Sequence, residues 1–255
     1  MRIVSYNLNG IRSALSKGLG DWLTDINPDI FCVQETKAQP EQIDIAYFES
    51  LGYQSFWHSA IKKGYSGVGI LCKFRPDDVV YGCGIDYIDQ EGRVIRADFG
   101  GLSILSIYFP SGSSGDERQE VKMRFLKDIN DYIQELKQTR THLVIAGDYN
   151  ICHQAIDIHD PIRNAQSSGF LPEERAWMDQ FLARGFLDSF RERNKEPHAY
   201  SWWSFRANAR NNNKGWRIDY QMISENLKNE IKFSDLLPEA KHSDHCPTLL
   251  ELSKF

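Results

Sequence analysis

Apolar runs of β character recur along the chain, each stopped by a polar residue or a turn. They cover Arg2–Tyr6, Ile30–Gln34, Tyr53–His58, Val68–Lys73, Val94–Phe99, Leu102–Phe109, His142–Ala146, Ala199–Trp203, Trp216–Ile223 and Thr248–Leu252, and each predicts a strand. Helical periodicity is clearest over Asp116–Lys137, where Val121, Phe125, Ile129, Tyr132, Ile133 and Leu136 repeat at three- and four-residue steps. A second helix is predicted over Pro172–Arg184: Pro172 suits the first turn, Glu173 and Glu174 favour the positive helix start, and Gly185 follows the end. A shorter one covers Gln42–Leu51 and is closed by Gly52. Strands alternating with helices, with adjacent hairpin-like strand runs, predict an α/β fold of two packed mixed sheets covered by helices. The Ser/Gly turn Ser111–Gly115 is too short to separate domains, so a single domain over residues 1–255 is expected. Asn208–Lys214 reads as a polar loop.

Polar islands sit where these runs end: Asn7 in Ser5-Tyr6-Asn7-Leu8-Asn9-Gly10, Glu35 in Gln34-Glu35-Thr36-Lys37, Gly147-Asp148-Tyr149-Asn150, and Ser243-Asp244-His245. A strand ending in a carboxylate or carboxamide points it out of the sheet edge, and several such ends together make a cluster of oxygen ligands with one histidine. Hard cations such as Mg²⁺ take oxygen ligands and favour phosphate-bearing substrates. A histidine beside a carboxylate is the usual proton carrier near neutral pH. The pattern points to metal-assisted cleavage of a phosphate ester.

Each residue also has a plainer reading. Glu35, directly after Ile30–Gln34, is the strongest metal-ligand candidate; the alternative is a solvated strand-end glutamate. Asp148 and Asn150, two apart in extended chain, would share one face and hold a water and a phosphate oxygen; the same residues also make an Asx turn. Asp219, between Ile218 and Tyr220 in a strand pattern, must be paired if buried, either with a histidine whose tautomer it fixes or with an arginine. His245 is preferred among seven histidines because it sits beside a carboxylate and before the last strand. Tyr108, at a strand end before Pro110, offers a phenol to a phosphate or is a packing tyrosine. Aromatic and basic residues interleave in Trp202-Trp203-Ser204-Phe205-Arg206 and in Arg210, Lys214, Trp216 and Arg217, which suits sugars, bases and phosphates or ordinary strand core. Lys62, Lys63 and Tyr65 form a further candidate loop for a nucleic-acid backbone.

Composition narrows the setting. A formal charge of −5 argues against a polybasic coat, although a local basic strip can still carry a polyanion. Five cysteines at no zinc spacing read as reduced thiols in a cytosolic protein. No leader pattern and no long apolar run is visible, so neither export nor a membrane span is expected.

Taken together, Asn7-Leu8-Asn9-Gly10, Gln34-Glu35-Thr36-Lys37, Gly64-Tyr65-Ser66-Gly67-Val68-Gly69, Tyr108-Phe109-Pro110, Gly147-Asp148-Tyr149-Asn150, Trp216-Arg217-Ile218-Asp219-Tyr220 and Ser243-Asp244-His245 closely resemble exonuclease III and the apurinic/apyrimidinic endonucleases, members of the endonuclease/exonuclease/phosphatase superfamily. The resemblance runs from Ile3 to Leu250. It implies a four-layer, DNase I-like α/β sandwich and Mg²⁺-dependent hydrolysis of DNA phosphodiesters, with Mn²⁺ as the alternative ion. Expected activities are incision 5′ to abasic sites, 3′→5′ exonuclease action on duplex DNA and 3′-end cleaning, by a monomer without membrane contact. By position, Glu35 resembles the principal metal ligand with Asn7 beside it, and Asp244 a carboxylate for a second metal position. Asp148 resembles the residue that positions or deprotonates water, Asn150 the phosphate-orienting carboxamide, and His245 held by Asp219 the acid–base or phosphate-polarising group. Tyr108 resembles the phenol near the scissile phosphate and Asn164 a DNA-contacting asparagine, while Trp202, Trp216 and Ile218 match the wall around a base-free deoxyribose. Ser111 and Ser167 depart from the family pattern, which puts two phosphate or DNA contacts in doubt. Competing readings are a phosphatase or phosphodiesterase of the same superfamily acting on inositol phosphates or lipids, and a non-catalytic DNA-binding module.

Overall fold

The computed structural model describes residues 1–253. In chain order the strands and helices are β1 (Arg2–Asn7), α1 (Ile11–Ser16), α2 (Leu19–Ile26), β2 (Ile30–Gln34), α3 (Ile45–Ser50), β3 (Gln54–His58), β4 (Val68–Cys72), β5 (Asp78–Tyr81), α4 (Asp86–Asp89), β6 (Val94–Phe99) and β7 (Leu102–Tyr108), followed by α5 (Asp116–Leu136), β8 (His142–Asp148), α6 (Pro172–Ala183), β9 (Phe186–Asp188), α7 (Ser189–Arg193), β10 (Asp219–Ser224), β11 (Ile231–Leu236) and β12 (Thr248–Leu252).

Two six-stranded sheets result, ordered β11-β12-β1-β2-β4-β3 and β5-β6-β7-β8-β10-β9. Both are mixed: β1 runs parallel to β2, β7 parallel to β8, and the other pairings are antiparallel. The period of two sorts side chains between layers. On β7, Leu102 and Ile104 enter the core between the sheets, while Leu105 and Ile107 face the outer core. There Phe125, Ile129 and Ile133 of α5 and Met178 and Phe181 of α6 cover the second sheet. Leu19 and Leu23 of α2 and Phe48 of α3 cover the first. The order is therefore helix, sheet, sheet, helix. Each stripe residue is fully buried, so Ile129→Ala would cost roughly 2–5 kcal/mol. Polar stitches cross the inter-sheet core: Gln34 Nε2 donates to Ser106 Oγ at 2.9 Å, Ser106 Oγ donates to the Val33 carbonyl at 3.0 Å, and Gln221 Nε2 donates to the Ile3 and Thr248 carbonyls at 3.2 and 3.0 Å.

The long helices follow their periodicity to within a residue. Elsewhere the chain departs from expectation. Residues 199–203 form no strand; Trp202 makes only isolated bridges to Trp216 and His245. Trp216–Ile218 likewise lies outside β10, which opens at Asp219. The expected helix over 42–51 starts only at Ile45, where Asp44 Oδ1 accepts the Tyr47 amide at 3.0 Å and caps it. α1, α2, α4, α7, β5, β9 and β11 were not predicted; most span six residues or fewer, too few for a period to emerge. Among the described residues no helix is long and apolar enough to cross a membrane, and all five cysteines are free.

Candidate active site

Sheet register brings the polar strand ends to one rim. Asn7 at the end of β1 stands opposite Gln34 of β2, so Glu35, the next residue, emerges beside it. In the other sheet Asp148 at the end of β8 lies between Tyr108 of β7 and Asp219 of β10. Gly147 permits this close pairing, since a Cβ there would meet the Ile107 carbonyl oxygen at 1.9 Å. The sheets touch through Asn7, whose Nδ2 donates to Asp148 Oδ2 at 2.8 Å and to Glu35 Oε1 at 2.9 Å.

That contact belongs to a longer chain. Lys37 Nζ lies 2.8 Å from Glu35 Oε2 and donates to Asn9 Oδ1 at 2.5 Å. Asn9 Nδ2 then donates to Asp244 Oδ1 at 2.9 Å, and Asp244 Oδ2 accepts Trp202 Nε1 at 3.0 Å. Asn7 is the hub of this chain. Its amide nitrogen spans two carboxylates and its oxygen accepts the Asn9 amide at 2.9 Å, so it stands beside Glu35 and joins it to Asp148. Asp244 lines the same hollow, with both oxygens engaged by Asn9 and Trp202.

His245 is held from behind: Nδ1 lies 2.9 Å from Asp219 Oδ2, and Nε2 faces Asp148 Oδ2 at 3.9 Å. Asp219 is in turn fixed by Ser201, whose Oγ donates to Oδ2 at 2.6 Å and accepts the Ile218 and Asp219 amides at 3.0 and 3.1 Å. The arginine reading of Asp219 does not hold. Neighbouring Arg217 is spent on Asp157 and Asp188, both at 2.7 Å. For Asp148 and Asn150 the local geometry is the Asx turn and not extended chain: Asn150 lies beyond the strand at φ 52, and its amide donates to Asp148 Oδ1 at 2.8 Å. That turn still brings Asn150 Nδ2 to 3.3 Å from Asp148 Oδ2.

The electrostatics are those of crowded carboxylates. Burial pushes the Asp148 carboxyl up, and the Asp219 and Glu35 charges push it further. Burial opposes the charge on His245, but Asp219, Asp148 and Asp244 outweigh it and hold the imidazole protonated to about 10. Glu35 is lowered despite its burial, because Lys37 and the Asn7 amide favour the anion. The Tyr108 phenol is held protonated by burial and by the charges of Glu35 and Asp148. A group that crowds acids in this way takes up either a proton or a cation. Donor atoms of Glu35, Asp148 and His245 all lie within 4.8 Å of one another, and Asp219 Oδ1 is buried without a partner. The donor set suits a divalent ion.

The cluster opens into a hollow of about 450 Å³ whose wall also includes Trp202, Trp216 and Ile218 and the serines Ser111, Ser113 and Ser168. The two indoles meet edge to face with centroids 6.1 Å apart. Tyr65, Arg206 and Asn164 do not line it. The Tyr65 hydroxyl accepts Arg93 and Arg118, each at 2.9 Å. Arg206 is exposed on the loop after Trp203. Asn164 Nδ2 donates to the His159 and Asp160 carbonyls, both at 3.0 Å, and Ser167 donates to its oxygen at 3.3 Å. Lys37 and Ser201 were not anticipated. Lys37 sits two residues past a ligand candidate, the one signal that marked it; Ser201 had none.

A two-sheet sandwich whose strand ends gather carboxylates, one carboxylate-held imidazole and a cation-suited hollow is the architecture of a phosphoester hydrolase. The chain belongs to the Endonuclease/Exonuclease/phosphatase family, which matches residues 4–245. It is 40% identical over 252 residues to an exodeoxyribonuclease of Bacillus subtilis, covering 98% of each chain. It is 39% identical to the DNA repair nuclease APEX1 of Danio rerio, covering 99% of this chain and 82% of that one. Among solved structures, a 3′-5′ exonuclease from Neisseria meningitidis superposes with a TM-score of 0.93 at 26% identity, covering 100% of both chains.

Proposed function

We propose that this chain is a DNA repair nuclease that hydrolyses phosphodiester bonds with Mg²⁺, incising 5′ to abasic sites and resecting and cleaning 3′ ends. One observation carries the reading: Glu35, Asp148 and His245 converge on a hollow that Trp202, Trp216 and Ile218 also line. Glu35 would hold the metal, with Asp148 and His245 adjacent. Bound there, a divalent ion would neutralise charge growing on the phosphate.

The remaining work falls to the chain's own groups. Asp148 takes the proton of the attacking water, its basicity raised by burial and by neighbouring acids. The Asn150 carboxamide orients a phosphate oxygen. His245, kept cationic by Asp219, polarises the phosphate or returns a proton through Nε2. The protonated Tyr108 phenol donates to the same phosphate. A base-free nucleotide is flipped out at lower energetic cost than a paired one, and the indole wall receives its sugar. Asn164, Tyr65 and Arg206 reach DNA outside the hollow, and Asp244 stands ready at a second cation position, with Mn²⁺ able to replace Mg²⁺. The chain works as one domain and a monomer, and its free thiols suit a reducing cytosol.

The test is one end-labelled duplex carrying a tetrahydrofuran abasic analogue. A single cut 5′ to the lesion and a ladder from the 3′ end, both abolished by EDTA, are expected. An intact duplex at high enzyme and Mg²⁺ would overturn the proposal.

A further inference from the structure

Behind the hollow, one buried ion pair carries three parts of its lining. Lys122 on α5 and Glu174 on α6 are both fully buried, with Nζ 2.6 Å from Oε1. A buried pair is a weak source of stability, since apolar residues of equal volume often serve as well, so its contacts must be asked what they hold. Lys122 Nζ also donates to the Asn150 carbonyl at 2.8 Å. Glu174 Oε1 accepts Gln119 Nε2 at 3.0 Å, and Gln119 Oε1 accepts Ser168 Oγ at 2.7 Å. Glu174 Oε2 accepts the Gly169 and Leu171 amides at 2.6 and 3.0 Å. Asn150, Ser168 and Gly169 all line the hollow.

The geometry leaves little slack. Asn150 is in the left-handed region at φ 52, where its conformation needs support from its surroundings. Its carboxamide donates forward to the Phe109 carbonyl at 2.9 Å while its own carbonyl is gripped from behind by Lys122. Gly169, at φ 95, packs so closely that a Cβ would come within 3.0 Å of the Trp216 ring and 3.1 Å of the Asn150 carbonyl oxygen. Moving the Lys122–Glu174 pair therefore moves the carboxamide, the serine edge and the indole wall together.

We infer that Lys122 and Glu174 are positioning residues for phosphodiester cleavage, acting through Asn150 and the Ser168–Gly169 edge without touching substrate. The inference rests on the assignment of Asn150 to the reacting phosphate. The test is a kinetic cycle of the full chain on the abasic-analogue duplex with Lys122→Met, Lys122→Arg, Asn150→Ala and Lys122→Met/Asn150→Ala, each checked by thermal melting. Misplacement of this kind should lower kcat for Lys122→Met by about 10–100-fold with KM nearly unchanged. Lys122→Arg should recover most of that loss. In the Asn150→Ala background, Lys122→Met should add little, because both changes remove the same contribution. Wild-type kcat in Lys122→Met, or losses that multiply in the double variant, would overturn the inference. Full kcat in Asn150→Ala would instead overturn the role of Asn150 and the inference with it. If Lys122→Met does not fold, Glu174→Gln alone and with Asn150→Ala closes the same cycle: a kcat loss that vanishes without Asn150 supports the inference, and unchanged or multiplying kcat overturns it.

Discussion

Asp219 grips His245 through Nδ1 at 2.9 Å, which leaves Nε2 as the ring nitrogen turned toward Asp148 and the hollow. A carboxylate in that position fixes the tautomer and favours the imidazolium. Asp219→Asn keeps the shape and removes the charge. The loss in kcat should be on the order of 10²–10⁴-fold. The alkaline limb of the pH–rate profile should also move to lower pH, since the largest of the charges that raise His245 from 6.5 to about 10 is gone. The same shift has a stability sign. A group raised in the folded state stabilises it below its ordinary value, and the contribution fades as pH climbs from 6.5 to about 10. Asp219→Asn should flatten the melting temperature across that window; an unchanged pH–rate profile would contradict the role given to Asp219.

Glu35→Gln tests the cation. The carboxylate is lowered by Lys37 and Asn7 and so is present as the anion at neutral pH, the form a hard ion needs. The variant should fold, melt near the wild type and lose Mg²⁺-dependent cleavage. Calorimetric Mg²⁺ affinity should fall by at least roughly 10–100-fold, the loss that follows removal of a group merely supporting a ligand. Undiminished affinity would move the ion elsewhere on the rim.

Part of this site can be read along the chain and part cannot. Glu35, Asp148, Asp219 and His245 stand out because each carboxylate or imidazole ends or interrupts an apolar run, where a buried charge needs a reason. Which atom of each faces which is a different matter. Asn7 and Asp148 are 141 residues apart, and only packing of the two sheets turns the Asn7 nitrogen to both carboxylates. Ser201 is an ordinary serine in sequence; its role comes from Trp202 bridging to Trp216 and His245, in a segment that reads as strand and is not one. Asn150 reads as extended and lies at positive φ, because an asparagine amide closes onto the aspartate two residues back as easily as a strand continues. Short helices such as α1 and α7 carry too few residues to show a period.

Trp216→Ala should separate two activities that share the metal. The indole packs against Gly169 and meets Trp202 edge to face on the wall of the hollow. Lost apolar packing in a substrate pocket costs about 1–3 kcal/mol. Incision at the abasic analogue should therefore fall about 5–160-fold in kcat/KM, by the usual conversion of free energy to rate, while the 3′ ladder falls less. Equal loss of both products in the end-label assay would place Trp216 outside lesion recognition.

The last expectation concerns the scaffold under Asp219. Arg217 is fully buried, holds Asp157 and Asp188 at 2.7 Å each, and stacks its guanidinium 4.4 Å from the Tyr220 ring centroid. Arg191 reaches Asp157 as well, at 2.7 Å, but Asp188 has no other cation in the cluster. Arg217→Met leaves Asp188 buried and uncompensated, so the loss in stability should be about 3–5 kcal/mol by urea titration. Burial opposes the Asp157 anion, yet Arg217 and Arg191 hold its carboxyl below 3.8. A group lowered in the folded state stabilises it above its ordinary value and stops doing so as pH falls through the folded one. Wild type should therefore lose part of its stability below about pH 4, and Arg217→Met should lose less over the same acid range, because less of that linkage remains. Urea midpoints measured from pH 7 down to pH 3 check both signs, and a variant as stable as wild type throughout would show that the network does not support the strand that carries Asp219.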